Sequence, residues 1–226
     1  FEGEYLNGKR NGKGKEYYYN GNLVFEGEYL DDKRNGKGKE YYNNGKLKFD
    51  GEYLNDKRRN GKGYDLSNNI IFELNCGKGI IKEFNDEGNL ILFEGEYFKG
   101  ERNGKAKEYS QYNSILLFEG EYLNDKRNGK GIKYYWDPTN KKPEYEGEYL
   151  NDKRNGKGKE YLDNGKIKYE GEYLYDFKIK GKYYINEKLE FEGEFRYDKK
   201  WNGKGYDENR NIIYELINGK WESKRI

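Results

Sequence analysis

A 24-residue sentence, FEGEYLNGKRNGKGKEYYYNGNLV, opens the chain and is rewritten along its whole length. Its leading aromatic recurs at Phe1, Phe25, Phe49, Phe72, Phe93, Phe118, Tyr145, Tyr169, Phe191 and Tyr214, at intervals of 21 to 27 residues. Self-similarity at such a period marks a repeat architecture, in which each unit buries its apolar face against its neighbours. The 226 residues therefore read as one array over 1–226, not as one or two globular domains with a central core.

Within a unit the pattern is that of strands. FEGEYL alternates strictly, so Phe1, Gly3 and Tyr5 share one face and Glu2, Glu4 and Leu6 the other. A helix would tolerate neither the glycines nor the tyrosine runs. NGKRNG reads as the turn, being rich in residues that accept positive φ. GKGKEYY then alternates again, with Lys13, Lys15 and Tyr17 opposite Gly12, Gly14, Glu16 and Tyr18. Asn20-Gly21 turns the chain towards the next unit. The expected fold is all-β: an elongated single-layer antiparallel solenoid of about ten stacked hairpins, roughly 90–100 Å long at ~4.8 Å per strand.

Stacking explains the charges. Glu strands alternating with Lys strands give opposite-charge cross-strand pairs, each contributing about 0.2–1 kcal/mol. That reconciles 38% charged residues with a net charge of +2. The aromatics of the other face, with glycine leaving room for a neighbouring ring, must supply most of the stability.

YEGEY-x-N-D/G-K-R-N-G-K-G resembles the MORN repeat (membrane occupation and recognition nexus), whose units read YEGEW-x-x-G-K-x-H-G-x-G. Here tyrosine usually replaces the tryptophan (Tyr5, Tyr29, Tyr53), and asparagine replaces the histidine (Asn11, Asn35, Asn128, Asn155). YYNNGKLKFDGEYLNDKRNGKGKEYY is also similar to the bacterial YwqK-type antitoxin repeat. The resemblance implies a β-hairpin array used for assembly at cytoskeletal or membrane-associated structures, often with self-association.

Departures from the pattern are few. The fourth unit, NNIIFELNCGKGIIKEF, lacks EGEY, and the same abbreviation returns as RNIIYELINGKWESKRI, 142 positions later, each time after NGKGYD. Arg59 lengthens the third turn. The sixth unit carries the longest connection, with both prolines: Trp136, Asp137, Pro138 and Pro143 form a candidate protein-contact loop expected to bulge from the ladder. Cys76, the sole cysteine, excludes an intramolecular disulfide framework, suggests a reducing compartment and reads as structural. A start in mid-pattern and the absence of Met point to a piece of a longer protein.

Chemistry is excluded more firmly than function is indicated. With no histidine, Ser-His and Cys-His pairs and most zinc or haem sites are impossible. NGKG sits at hairpin ends and is no phosphate loop. Glu2 and Glu4 recur from unit to unit, as an active-site pair would not. The chain is therefore expected to be no enzyme, with no catalytic, cofactor or metal site. The leading expectation is a scaffold for protein partners and self-association. The second is peripheral binding to anionic phospholipid through a basic turn edge, with Arg10, Arg34, Arg58, Arg127 and Arg154 in one row. The third is antitoxin-like binding to a toxin. Interleaved acids argue against nucleic acid, and no run of 18 apolar residues spans a membrane. The expected location is cytoplasmic, peripheral to a membrane or cytoskeletal structure.

Overall fold

The computed structural model describes residues 1–139 and 141–222. Positions 140 and 223–226, which the repeat reading took in, lie outside the described residues. All of the regular elements there are strands. The first ten are β1 (Glu2–Leu6), β2 (Lys9–Tyr17), β3 (Leu23–Leu30), β4 (Lys33–Tyr41), β5 (Leu47–Leu54), β6 (Lys57–Tyr64), β7 (Ile70–Leu74), β8 (Gly79–Phe84), β9 (Ile91–Phe98) and β10 (Glu101–Tyr109). The next five are β11 (Leu116–Leu123), β12 (Lys126–Tyr134), β13 (Pro143–Leu150), β14 (Lys153–Tyr161) and β15 (Ile167–Leu174). The rest are β16 (Phe177–Ile185), β17 (Lys188–Arg196), β18 (Lys199–Tyr206), β19 (Ile212–Ile217) and β20 (Lys220–Glu222). Strands adjacent in sequence are adjacent in space, in two open antiparallel sheets, β1 to β7 and β8 to β20. The molecule divides into two compact units, Phe1–Ser114 with Leu123–Asp125, and Ile115–Tyr122 with Lys126–Ile226.

The hairpin array is as the sequence predicts, but one sheet has become two. The break falls at the abbreviated fourth repeat, where β7 and β8 share only the Asn75–Lys78 bridge. The turn keeps the contact that regular turns make: the Gly77 N–H donates to the Arg59 carbonyl, as the Asp56 N–H does to Arg34, and the Gly77 carbonyl accepts from Gly100. The second abbreviated repeat makes the matching contact, Gly219 N–H to the Trp201 carbonyl. Asn60 accepts from the Cys76 N–H, and Asn202 accepts from the Asn218 N–H, both at 2.7 Å. Cys76 thus fills a left-handed turn position, φ 51°, that asparagine fills in the later copy.

NGKRNG is not one turn. Only its first two residues turn, with positive φ at both Asn7 and Gly8, as a two-residue type I′ hairpin requires. Lys9 to Gly12 belong to β2. The register runs Gly3 to Gly14 and then Tyr5 to Arg10, so β2 accommodates two extra residues in a bulge. An even number of extra residues leaves the faces unchanged, which keeps Arg10 opposite Tyr5. In the third repeat the inserted Arg59 slides the pairing to Gly51–Gly61, yet Tyr53 still faces Arg58.

The glycines explain why rings can lie flat on the sheet. Gly27 pairs with Gly14 on one side and Gly38 on the other, and the Phe25 ring covers the Gly27–Gly38 pair. A Cβ at Gly27 would come within 2.6 Å of Phe25 Cζ and 2.7 Å of the Gly38 Cα. Phe25 is fully buried there. Its ring meets Tyr29 edge-on at 5.5 Å and Tyr53 of the next repeat at 5.2 Å, so each ring binds its own hairpin to the following one. Gly27→Ala should lower stability by about 1–3 kcal/mol, the usual range for overpacking. Gly8→Asp, in a turn with nothing within 4 Å and where the second repeat carries Asp32 at φ 69°, should stay within about 0.5 kcal/mol. Urea unfolding of the two variants checks the contrast.

Candidate functional site

Two surfaces flank each sheet. On the ring face, several repeats place a carboxylate between successive cationic side chains, at Glu16, Glu40 and Glu160 two residues after the second glycine of NGKG. Arg10 and Arg34 both donate to Glu16, the latter at 2.6 Å. Arg34 and Arg58 both donate to Glu40, which also accepts the Tyr53 hydroxyl at 2.8 Å. Arg102 and the Tyr97 hydroxyl converge on Glu83, and Arg154 and Lys178 on Glu160. The guanidiniums also lie on rings: Arg34 is 4.2 Å from the Phe25 centroid, Arg58 4.8 Å from Phe49 and Arg127 4.3 Å from Phe118. Cation–π contact of this kind strengthens as the pair is desolvated.

Burial pushes the Glu40 carboxyl up, but Arg58, Arg34 and the Tyr53 donor outweigh it and hold the group at about 2, against an ordinary 4.5. Burial lowers Lys48 and is reinforced by the nearby Arg58 charge. Burial, then the Glu40 charge, raises Tyr53.

This geometry relocates the expected basic edge. Arg10, Arg34, Arg58, Arg127 and Arg154 do occupy equivalent places, one per hairpin, just after the turns. Their side chains are half-buried against rings. The aspartates that dilute the row have a structural task. The Asp32 carboxylate accepts the Arg10 N–H at 2.8 Å, while the Asp32 N–H donates to the Arg10 carbonyl. Asp56 with Arg34, Asp152 with Arg127 and Asp176 with Arg154 repeat this brace.

In the candidate contact loop, Trp136 is 63% exposed and Asp137 accepts from the Thr139 N–H and hydroxyl. Pro138 is exposed. Pro143 does not bulge: it is the first residue of β13 and pairs with Tyr134 at a register irregularity, a place where the missing N–H is tolerated.

On the opposite face runs the Glu/Lys ladder read from the sequence, with Glu2 paired to Lys15, Lys15 to Glu26 and Glu26 to Lys39. In the second unit, Lys157-Gly158-Lys159, Glu170-Gly171-Glu172 and Lys180-Gly181-Lys182 alternate from strand to strand. They form a trough of about 670 Å³ with a glycine floor. The first unit carries a similar trough of about 620 Å³, from Glu2 to Asp50. Leucine at the sixth repeat position, on the trough face, stays about half exposed: Leu30 48%, Leu54 47% and Leu174 50%. Leu174 shares a depression with trough-wall residues Glu148, Lys157 and Glu172. These leucines, and the carboxylates of the ring-face ladder, were not singled out in the sequence. Their signal was present only as recurrence at a fixed repeat position.

The MORN repeat family model matches residues 1–23, 25–46, 93–111, 118–135 and 145–167. The chain carries MORN repeats. No curated protein matches it. The matched MORN segments include four of the five arginines named above. The third MORN-like unit, which brings Arg58 to Glu40, lies outside them yet has the same ladder. Among the described residues no helix is long and apolar enough to cross a membrane.

Removing one partner of a buried ion pair strands the other, at a cost of about 3–5 kcal/mol. Glu40→Gln should therefore lose about 3 kcal/mol at neutral pH. Because the folded carboxyl titrates near 2, the wild-type advantage is complete above the unfolded group's 4.5 and drains away as pH falls towards 2. Denaturant melts of both proteins at pH 7, 4 and 2.5 should converge at the acid end.

Proposed function

We propose that this chain is a non-catalytic scaffold that binds a protein partner across its charged troughs. The observation that carries the reading is the pairing of a charge-balanced, glycine-floored trough with half-exposed leucines on its flank. A polar surface of alternating sign offers register and specificity, while apolar anchors supply affinity. A protein segment can satisfy both; a uniformly anionic surface meets a glutamate for nearly every lysine. The alternative, docking on anionic phospholipid, draws support from the lysines of the turn edge, but its arginines are half-buried against rings. Self-association is the same reading with a second copy as partner.

Leu30→Asp combined with Leu54→Asp changes only half-exposed side chains, so circular dichroism and the melting temperature should stay as in wild type. Partner capture from native lysate should fall at least tenfold in the double variant and be retained by Gly8→Asp. Equal capture by all three, or co-sedimentation with anionic but not neutral vesicles at 0.15 M salt, where the Debye length is about 8 Å, would defeat the protein reading.

A further inference from the structure

The ring-face ladder lacks its carboxylate at four rungs: Gly63, Tyr183 and Gly205 pair with Phe72, Phe191 and Tyr214, and the sixth repeat alone puts a cation there. Glu16, Glu40 and Glu160 pair across the sheet with the leading aromatic of the next repeat, Phe25, Phe49 and Tyr169. In the sixth repeat the residue paired in this way, with Tyr145, is Lys133. A cation thus occupies the register of the ladder carboxylate, in the hairpin that separates Arg127 from Arg154. Lys133 does not fill the space. Its Nζ donates 2.7 Å to Glu144 and its side chain is 46% exposed, which places the pair at the rim.

What is left is a cavity of about 340 Å³ lined by Arg127, Lys133, Tyr149, Arg154 and Lys168, among others. Its other carboxylates have work already. Asp152 braces the Arg127 backbone, and Asp176 and Glu160 hold Arg154. Glu144 stands where Glu190 stands two repeats later. Glu190 reaches inward to Lys200 and the Tyr214 hydroxyl, whereas Glu144 turns to Lys133.

Tyr149, one of the lining residues, brings a hydroxyl to this cavity. It is buried and has no hydrogen-bond partner, and both Arg127 and Arg154 are near enough to act on its acidity. The equivalent hydroxyls of Tyr53 and Tyr97 donate to Glu40 and Glu83. Tyr29 and Tyr173 also make no direct bond, but each has its ladder carboxylate beside it, Glu16 and Glu160. Tyr149 has Lys133 at that register, and the carboxylates that act on it are Glu144 and Asp176, from outside the ladder. A buried hydroxyl left unsatisfied is costly, and two guanidiniums with one hydroxyl are the donor set that holds Glu40 earlier in the chain.

We propose that this pocket is a carboxylate-binding site, in which a ligand's carboxylate takes the place that glutamate takes in the rungs of Glu16, Glu40 and Glu160. The ligand class is a carboxylic acid or the acidic end of a peptide. The site lies on the ring face, so it does not depend on what the trough binds.

The test uses the full chain and sodium acetate as probe, against sodium chloride at equal ionic strength, reading the melting temperature. Wild type should gain several degrees, saturably, on acetate. Lys133→Glu, which supplies the carboxylate of the Glu16, Glu40 and Glu160 rungs, should melt higher without acetate and lose the response. Tyr149→Phe should fold normally and need at least fivefold more acetate. A peptide with a free C-terminal carboxylate, its amidated form, and an amidated form with an internal Asp then tell a main-chain source from a side-chain one. An acetate response that is absent, or equal in wild type and Lys133→Glu, overturns the proposal. So does a saturable response to phosphate but not acetate.

Discussion

A ring lying flat on a pair of glycines is the contact on which the other features of this protein depend. Each leading aromatic is buried largely by its own strand pair and the next hairpin. Facing strands without a Cβ make room for it, as at Gly27 and Gly38 beneath Phe25; in the fifth repeat Ala106 faces Gly95 and Phe93 is still fully buried. Once the ring is down, its edge and face are available to the tyrosine of the following repeat and to the arginine that packs over it. Neighbour-to-neighbour stacking then propagates, as expected of repeat arrays whose stability is a sum of unit and interface terms.

Covering the rings with arginine creates a second requirement. A desolvated guanidinium needs an acceptor, and the repeat provides one by placing a carboxylate between successive arginines. Aspartates at the hairpin tips complete the arrangement by fixing the arginine backbone from the next turn. The apparent basic edge is therefore an alternating ion-pair lattice, much of it half-buried. Its rungs differ from surface pairs such as Lys15–Glu26, at 3.8 Å and well exposed, which contribute little. The outer trough is left with balanced charge and a row of leucines, a surface with more selectivity than affinity for any single sign of charge.

The abbreviated repeats show how small changes redirect the array. Arg59 and Trp201 each add one residue ahead of Asn-Gly and shift the glycine pairing, and Asn60 and Asn202 then hold the next turn's N–H at 2.7 Å, where Asn35 and Asn155 of regular repeats stand at 3.4 and 3.5 Å. The Phe49–Phe72 and Phe191–Tyr214 rings become stacked instead of edge-on. The 142-residue recurrence in the sequence is thus a recurrence of contacts as well.

The sequence by itself determined the strands, the hairpin period, the two faces and the Glu/Lys ladder, because side-chain alternation and repeat length are local properties of the chain. It also indicated that the fourth and tenth units differ. It could not tell that four of the six residues of NGKRNG belong to a strand, since positive-φ residues serve bulges and turns alike. It did not separate one sheet from two: β7 and β8 join only through the Asn75–Lys78 bridge while the matching β19 and β20 stay paired, a difference in pairing that the shared local pattern does not encode. Nor did it distinguish an exposed basic edge from arginines folded onto rings: both have the same spacing, and only the tertiary packing decides which way a long cationic side chain turns.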